Sequence, residues 1–176
     1  MKWLTFIAYL ATIPAANWMI GHFGTECIPN GPCLVPVGFG LMAPSGVLLI
    51  GLALVLRDAV QSLLGKGAAL TAIAIGIVLS AAVAPPSLVM ASAAAFGLAE
   101  LADMAVYTPL RDRGRLIAAV LVSGLVGSAV DSAVFLWLAF GSLDFITGQI
   151  VGKMWMTAFS AAALWTATQL SGDTAP

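Results

Sequence analysis

"FGLAELADMAVYTPLRDRGR" (residues 96–115) carries two carboxylates, Glu100 and Asp103, inside an apolar run, and it ends in three arginines. An apolar run of roughly 20 residues is long enough to cross a membrane as a helix. An ionisable side chain in such a run is expensive to insert, so it normally faces the protein interior and marks a functional position. The stretch therefore predicts a membrane-spanning helix with one polar face.

The composition of the whole chain agrees with this prediction. Of the 176 residues, 61% are hydrophobic and only 9% are charged. A soluble domain is about half apolar and about a quarter charged, so the composition indicates an integral membrane protein and excludes a soluble enzyme. The formal net charge of −1 provides no basic surface for nucleic acid. The expected surroundings are a lipid bilayer.

Six segments are apolar and long enough to span the bilayer as helices, which predicts an all-α fold. They lie at about 2–22, 44–64, 68–84, 87–109, 116–139 and 145–169. Short Gly- or Pro-containing turns separate most of them, and 23–43 is the one long connection. We therefore expect a single domain over 1–176, folded as a compact six-helix bundle.

The distribution of basic residues predicts the orientation. Cytoplasmic loops of membrane proteins are enriched in Lys and Arg. The basic residues at span ends and in connections lie at the N-terminus, in the turn between spans two and three, or in the loop between spans four and five: Lys2, Lys66, Arg111, Arg113 and Arg115. Both termini should therefore be cytoplasmic, and the 23–43 connection should be outside.

The N-terminal segment has an alternative interpretation. "MKWLTFIAYLATIPAAN" (residues 1–17) has a positive start, an apolar centre and small residues near Ala15, as in a cleaved signal peptide. Cleavage would leave five helices and an external N-terminus. The apolar run continues through Trp18, Met19 and Ile20, which favours a retained helix.

The long connection contains both cysteines of the chain, Cys27 and Cys33. In an oxidising compartment they could form a disulfide, and two free thiols are the other interpretation. His22 is the single histidine, so the spacing does not fit a zinc site. Nothing else in the connection supports a catalytic Cys–His pair. No metal, cofactor or enzymatic activity is expected.

Charged residues within the spans can be compared by depth, at about 1.5 Å per helical residue. Arg57 and Glu100 both lie roughly 19 Å from the external end of their helices, with Asp103 one turn further in. Asp131 and Lys153 both lie roughly 12 Å from it. The matched depths predict two ion pairs, Arg57 with Glu100 or Asp103, and Asp131 with Lys153.

The acids outnumber the bases within the spans. With Asp58, which could escape at the inner face, there are four carboxylates against Arg57 and Lys153. Ion pairs that only hold helices together would not need the surplus. The extra carboxylates must be protonated, meet water or bind a ligand, which indicates a polar cavity.

Helical spacing predicts the walls of this cavity. Phe96, Glu100, Asp103 and Tyr107 are separated by four, three and four residues, so they share one face. Two aromatic rings on either side of hydrogen-bond acceptors would suit a flat ring that donates hydrogen bonds.

Two other helices contribute candidate binding residues. Gln149 and Lys153 are four residues apart on the sixth span and share a face. Asn17 on the first span could complete the site from its external half. The third span, nearly all Ala, Ile, Val and Leu, is expected to be scaffold.

Four segments resemble the vitamin uptake transporter family, whose better-understood members transport queuosine precursors. They are "GLALVLRDAVQSLLGKGAAL" (51–70), "AAFGLAELADMAVYTPLRDR" (94–113), "VGSAVDSAVFLWLAFG" (126–141) and "GQIVGKMW" (148–155). The resemblance implies a six-helix, multi-pass carrier in the cell's inner membrane that imports a 7-deazaguanine base.

The implied substrate fits the predicted site. A guanine-like ring presents a ring N–H and an exocyclic amine, and a single carboxylate can accept both. Glu100 is the first candidate, with Arg57 orienting it and Phe96 or Tyr107 stacking on the ring. Asp131 and Lys153 would contact the opposite edge or control external access.

The energy source and two other functions stay open. No phosphate-binding G-x-x-x-x-G-K-[ST] loop occurs, so the chain cannot hydrolyse ATP itself. The surplus carboxylates allow proton coupling, and facilitated diffusion is the alternative. Small residues Ala8, Ala11 and Ala15 on the first span would suit docking to a separate ATP-driven module. An assembly factor without a substrate is disfavoured by the acid surplus, and the oligomeric state is not predicted.

Overall fold

The computed structural model of the protein describes residues 2–29, 31–84 and 86–170. Within these residues six α-helices form a bundle and three short strands cover one end of it. The helices are α1 Lys2–His22, α2 Val47–Leu64, α3 Lys66–Val83, α4 Val89–Asp112, α5 Leu116–Phe140 and α6 Ile146–Leu170. A single 3-10 turn, Pro86–Leu88, leads into α4.

The prediction of an all-α membrane bundle with six helices is confirmed. In the described part of the chain, α1 to α5 are each long and apolar enough to cross a membrane, and α6 is 25 residues long. The cytoplasmic placement of both termini stays a prediction. So does the single domain over 1–176, of which residues 1, 30, 85 and 171–176 lie outside the described part.

Two helix boundaries differ from the expected ones by three residues, and the others by two or fewer. The second helix was expected to begin near Pro44, but it begins at Val47 because residues 41–44 extend into a strand. The fourth helix was expected to end at 109, but it continues to Asp112 and contains Pro109. Proline removes one helical hydrogen bond, yet its fixed φ is compatible with the helix, so the residue does not always end one.

The long connection was not expected to contain regular structure, but it folds into an antiparallel sheet in the order β1-β2-β3. The strands are β1 Glu26–Cys27, β2 Cys33–Gly38 and β3 Leu41–Pro44. Gly38, Phe39 and Gly40, which connect β2 to β3, all have positive φ. Glycine adopts this conformation at little cost, so the tight turn is encoded locally.

The disulfide interpretation of the two cysteines is correct. Cys27 and Cys33 are bonded to each other across the paired ends of β1 and β2. The loop that the bond closes includes residue 30, which lies outside the described part of the chain. We call the disulfide and the three strands together the cap, and the end of the bundle that carries it the cap end.

The outer surface of the bundle carries exposed apolar and aromatic side chains, as expected of a surface in contact with lipid. All five tryptophans of the chain are at least half exposed. Four of them lie towards the helix ends, where amphipathic indole rings meet the membrane interface: Trp3, Trp18, Trp137 and Trp165. Inside, Tyr9 of α1 and Phe96 of α4 pack with small residues of α2 and α3 into an apolar core. Polar side chains buried beside this apolar core are costly, so they mark candidate functional positions.

Candidate functional site

The largest group of buried charges surrounds Arg57 on α2. Its Nε lies 3.1 Å from Oε2 of Glu100, and its Nη1 lies 2.8 Å from Oδ1 of Asp58. Nη2 donates to Oδ1 of Asp103. All four side chains are buried, and that of Arg57 is 0% exposed. We call Arg57, Asp58, Glu100 and Asp103 the charge cluster. Arg57 was predicted to pair with Glu100 or Asp103, and it contacts both.

The planar guanidinium group makes this arrangement possible. Its donors form a fixed fork, so one arginine can serve several carboxylates at once, which an ammonium cannot do with the same geometry. Nη1 of Arg57 also donates to Oε1 of Gln61 at 3.3 Å, and Gln61 in turn donates to Thr108 at 2.9 Å. The ring of Tyr107 lies 5.5 Å from Cζ of Arg57, a cation–π distance.

The sequence allowed Asp58 to escape at the inner face, but the structure buries it. The residue is 3% exposed and contacts Arg57 directly. Adjacent residues on a helix point about 100° apart, but the long arginine side chain folds back to reach its neighbour. Three carboxylates therefore share one guanidinium group. Oε1 of Glu100 and Oδ2 of Asp103 have no hydrogen-bond partner among the described residues.

A second group of buried charges lies nearer the cap end. Nζ of Lys153 on α6 donates to Oδ2 of Asp131 on α5 at 2.6 Å. It also donates to Oγ of Ser132 at 2.7 Å and to Oε1 of Gln149 at 2.9 Å. The predicted ion pair is confirmed, with two polar partners added to it.

A cavity opens beside this ion pair, in the half of the bundle nearer the cap. It is narrow in this structure, with a volume of about 40 Å³ for the centres of water-sized spheres, so a bound ring would have to widen it. Its wall brings together five of the predicted site residues: Asn17, Phe96, Asp131, Gln149 and Lys153. We call it the outer cavity.

The remaining polar wall of the outer cavity comes from two serines. Ser92 on α4 donates to Oδ1 of Asn17 at 3.3 Å, and Nδ2 of Asn17 donates to the carbonyl oxygen of Ile13 at 3.0 Å. Ser80 on α3 also lines the cavity, so this helix is not the plain scaffold that was expected. Ser92 lies four residues before Phe96, and this helical spacing could have identified it, whereas Ser80 carries no such signal.

The structure separates the predicted site residues into two sets. Arg57, Glu100, Asp103 and Tyr107 are not among the residues that line the outer cavity. Phe96 and Tyr107 were expected on the same ligand, but they lie on opposite sides of the charge cluster along α4. They are 11 positions apart in the sequence, which corresponds to roughly 16 Å along the helix.

Tyr107 belongs to a second cavity, in the half of the bundle away from the cap. Its hydroxyl group lies 2.9 Å from Oγ of Ser62. Both residues, together with Asp58, line this cavity between α2, α5 and α6. We call it the inner cavity. Asp58 is thus a member of the charge cluster that faces the inner cavity, and the cluster lies between the two cavities.

The cap is attached to α6 at the mouth of the outer cavity. Nε1 of Trp155 donates to the carbonyl oxygen of Val37 at 2.8 Å. The backbone of Gly148 lies so close to the carbonyl oxygen of Met42 that a Cβ atom would not fit between them. The cap therefore lies directly over the helix that carries Gln149 and Lys153.

Comparison with known proteins gives one match. The sequence model of the family described as "Putative vitamin uptake transporter" matches residues 82–170, just over half of the chain. This segment contains α4, α5 and α6, and with them Glu100, Asp103, Asp131, Gln149 and Lys153. No curated protein and no solved structure matches the chain.

Proposed function

The chain belongs to the vitamin uptake transporter family, and from this premise we propose that it imports queuosine precursors, the 7-deazaguanine bases, across the cell's inner membrane. The membership itself makes it a multi-pass membrane protein that takes up a small molecule. The observation that carries the finer proposal is the outer cavity, where a phenyl ring, a carboxylate and two amides line one space inside an apolar bundle. A flat, polar, uncharged heterocycle needs this combination of groups.

The proposed binding position is the outer cavity. Phe96 offers an apolar ring on which a base can stack. Asp131 offers a carboxylate on the wall itself, whereas Glu100 is 1% exposed and bonded to Arg57. We therefore assign the first contact with the donor groups of the base to Asp131 rather than to Glu100. The net charge of the Asp131–Lys153 pair is zero, which suits a neutral ligand.

The proposed path continues through the charge cluster to the inner cavity. The cluster lies between the two cavities, and its ion pairs join α2 to α4. Import would require the contacts of Arg57 to rearrange so that the base can pass. A buried arginine with several acceptors within reach can exchange one carboxylate for another without becoming unpaired.

The proposed energy source is a proton. One guanidinium group faces three carboxylates in the charge cluster, so the cluster carries a formal charge of −2 when every acid is ionised. Such an excess is costly in a buried site unless protons neutralise it. An acid that gains a proton from one side and loses it to the other couples import to the proton gradient.

The test is uptake by the purified chain in liposomes, measured with a radiolabelled 7-deazaguanine base. We expect saturable uptake that is faster with an acidic exterior and slower with an uncoupler. Uptake at a rate that does not depend on the proton gradient would support facilitated diffusion instead. Absence of uptake from liposomes, together with uptake by whole cells that express the chain, would indicate a separate ATP-driven module.

A pair of phenylalanine variants controls this test. Phe96→Ala removes a ring from the wall of the outer cavity and should weaken uptake of the base. Phe23→Ala removes a ring that is 57% exposed at the end of α1 and should leave uptake unchanged. Equal effects of the two substitutions would contradict the proposed binding position.

A further inference from the structure

The ammonium group of Lys153 has no donor left for a ligand. An ammonium has three N–H groups. In Lys153 they go to Asp131, Ser132 and Gln149, at 2.6, 2.7 and 2.9 Å. The side chain is also 1% exposed. Lys153 therefore acts on the outer cavity through the residues that it holds.

The contact between Lys153 and Gln149 fixes the orientation of the glutamine amide. An ammonium can only donate, so the atom that it touches must be the amide oxygen, Oε1. The amide nitrogen of Gln149 then faces away from Lys153. Among the described residues, Gln149 makes no side-chain hydrogen bond other than the one from Lys153. Gln149 therefore presents an unused donor at the outer cavity, whose wall it forms.

The same argument applies to Asp131. Its Oδ2 accepts from Lys153, and its Oδ1 receives no hydrogen bond from the part of the chain that the structure describes. Asp131 also lines the outer cavity. Lys153 thus holds one residue with a free acceptor and one with a free donor on neighbouring helices, α5 and α6, and both residues line the outer cavity.

We propose that Asp131 and Gln149 recognise a lactam edge, a ring N–H next to a carbonyl group, and that Lys153 is the positioning residue that keeps them in this arrangement. The free oxygen of Asp131 accepts from the ring N–H, and the amide nitrogen of Gln149 donates to the carbonyl oxygen. This inference rests on the proposed function and names the part of the base that the site reads. In a base with an unprotonated ring nitrogen and an amine at the same positions, the nitrogen would face the acceptor of Asp131 and the amine would face the donor of Gln149.

The test compares two probes in binding to the purified, detergent-solubilised protein. The probes are 7-deazaguanine and 2,6-diamino-7-deazapurine. The first has the lactam edge. The second carries an amine in place of the carbonyl group, and the neighbouring nitrogen of its six-membered ring has no hydrogen. We expect the wild-type protein to prefer 7-deazaguanine at least tenfold, because mismatched buried polar groups stay unpaired.

The decisive substitution is Gln149→Glu. It keeps the oxygen that accepts from Lys153 and replaces the free donor with an acceptor. The preference for 7-deazaguanine should fall at least tenfold or reverse. The matched control is Gln61→Met, which removes a buried amide from α2 outside the outer cavity and should not change the ratio of the two affinities. Gln149→Met provides a second variant, with loss of 7-deazaguanine affinity and little change for the diamino probe.

The outcomes separate this inference from the proposed function. A wild-type protein that binds neither probe overturns both. A wild-type protein that binds 7-deazaguanine, with a preference that neither Gln149 variant changes, overturns only the lactam edge. Lys153→Arg tests the positioning role, because a guanidinium keeps the charge but not the three contacts. We expect Lys153→Arg to lower the preference for 7-deazaguanine while the melting temperature stays close to that of the wild type. An unchanged preference with a lowered melting temperature would make Lys153 a purely structural residue.

Discussion

Nζ of Lys153 lies 2.6 Å from Oδ2 of Asp131, which joins α6 to α5 through two buried charges 22 residues apart. Both side chains are largely buried, at 1% and 11% exposed, so solvent screens the two charges little. Removing one of the two side chains should therefore cost more stability than the ion pair itself contributes.

This dependence predicts a non-additive pair of substitutions. Asp131→Asn leaves the ammonium group buried without its counter-charge, which typically costs about 3–5 kcal/mol. The double variant with Lys153→Met removes both desolvation costs and should recover much of the folded yield. The measurement is the yield of monodisperse protein in detergent. Losses that simply add would show that the two side chains act independently.

A second prediction concerns Glu100 and separates recognition from coupling. Glu100→Gln removes one carboxylate from a cluster that has an excess of them, and the neutral amide is cheaper to bury. We expect affinity for 7-deazaguanine to change less than about twofold, because Glu100 does not line the outer cavity. Uptake should become slower and less sensitive to an uncoupler. A tenfold loss of affinity would instead return Glu100 to the recognition role that its sequence position suggested.

A third prediction concerns the contact between α2 and α6. A Cβ atom added at Gly51 would lie 2.7 Å from the carbonyl oxygen of Lys153, and this backbone atom cannot move by itself. Gly51→Ala should therefore destabilise the protein by about 1–3 kcal/mol, as overpacking does. Gly67→Ala on α3 is the matched control, since nothing lies within 4 Å of the added atom. Its helix propensity should leave the melting temperature unchanged or higher. Equal melting temperatures for the two variants would contradict this packing.

A fourth prediction concerns topology. The chain contains two cysteines and the structure bonds them to each other, so a membrane-impermeant maleimide should label intact cells only after reduction. Labelling should then occur from outside, because the basic residues of the connecting segments lie at the opposite end of the bundle. The variant Cys27→Ser with Cys33→Ser provides the blank. Reduced cells that are labelled only after permeabilisation would reverse the orientation.

The helices and both ion pairs could be predicted because they depend on local information. Hydropathy and helix length locate each span, and the rise per residue gives the depth of each charge. Arg57 and Glu100 meet for this reason, as do Asp131 and Lys153.

The cap and the division into two cavities could not be predicted in the same way. The strands are two to six residues long and Gly and Pro interrupt their pattern, so no alternation of apolar and polar residues identifies them. The separation of Phe96 from Tyr107 depends on how neighbouring helices fill the space beside α4. The contact between Asp58 and Arg57 depends on the rotamer of Arg57, which the sequence spacing does not determine.

Glycines at the contacts of α6 have a mechanical consequence. Gly148 faces the carbonyl oxygen of Met42, Gly152 faces Val47, and Gly51 receives the backbone of Lys153. Surfaces without interlocking side chains resist separation but offer little resistance to sliding, as in the shear motions of packed helices. A small slide of α6 along its own axis would break the hydrogen bond from Trp155 to Val37 of the cap. Because Lys153 is bonded to Asp131, α5 would travel with it, and these two helices would move as one piece.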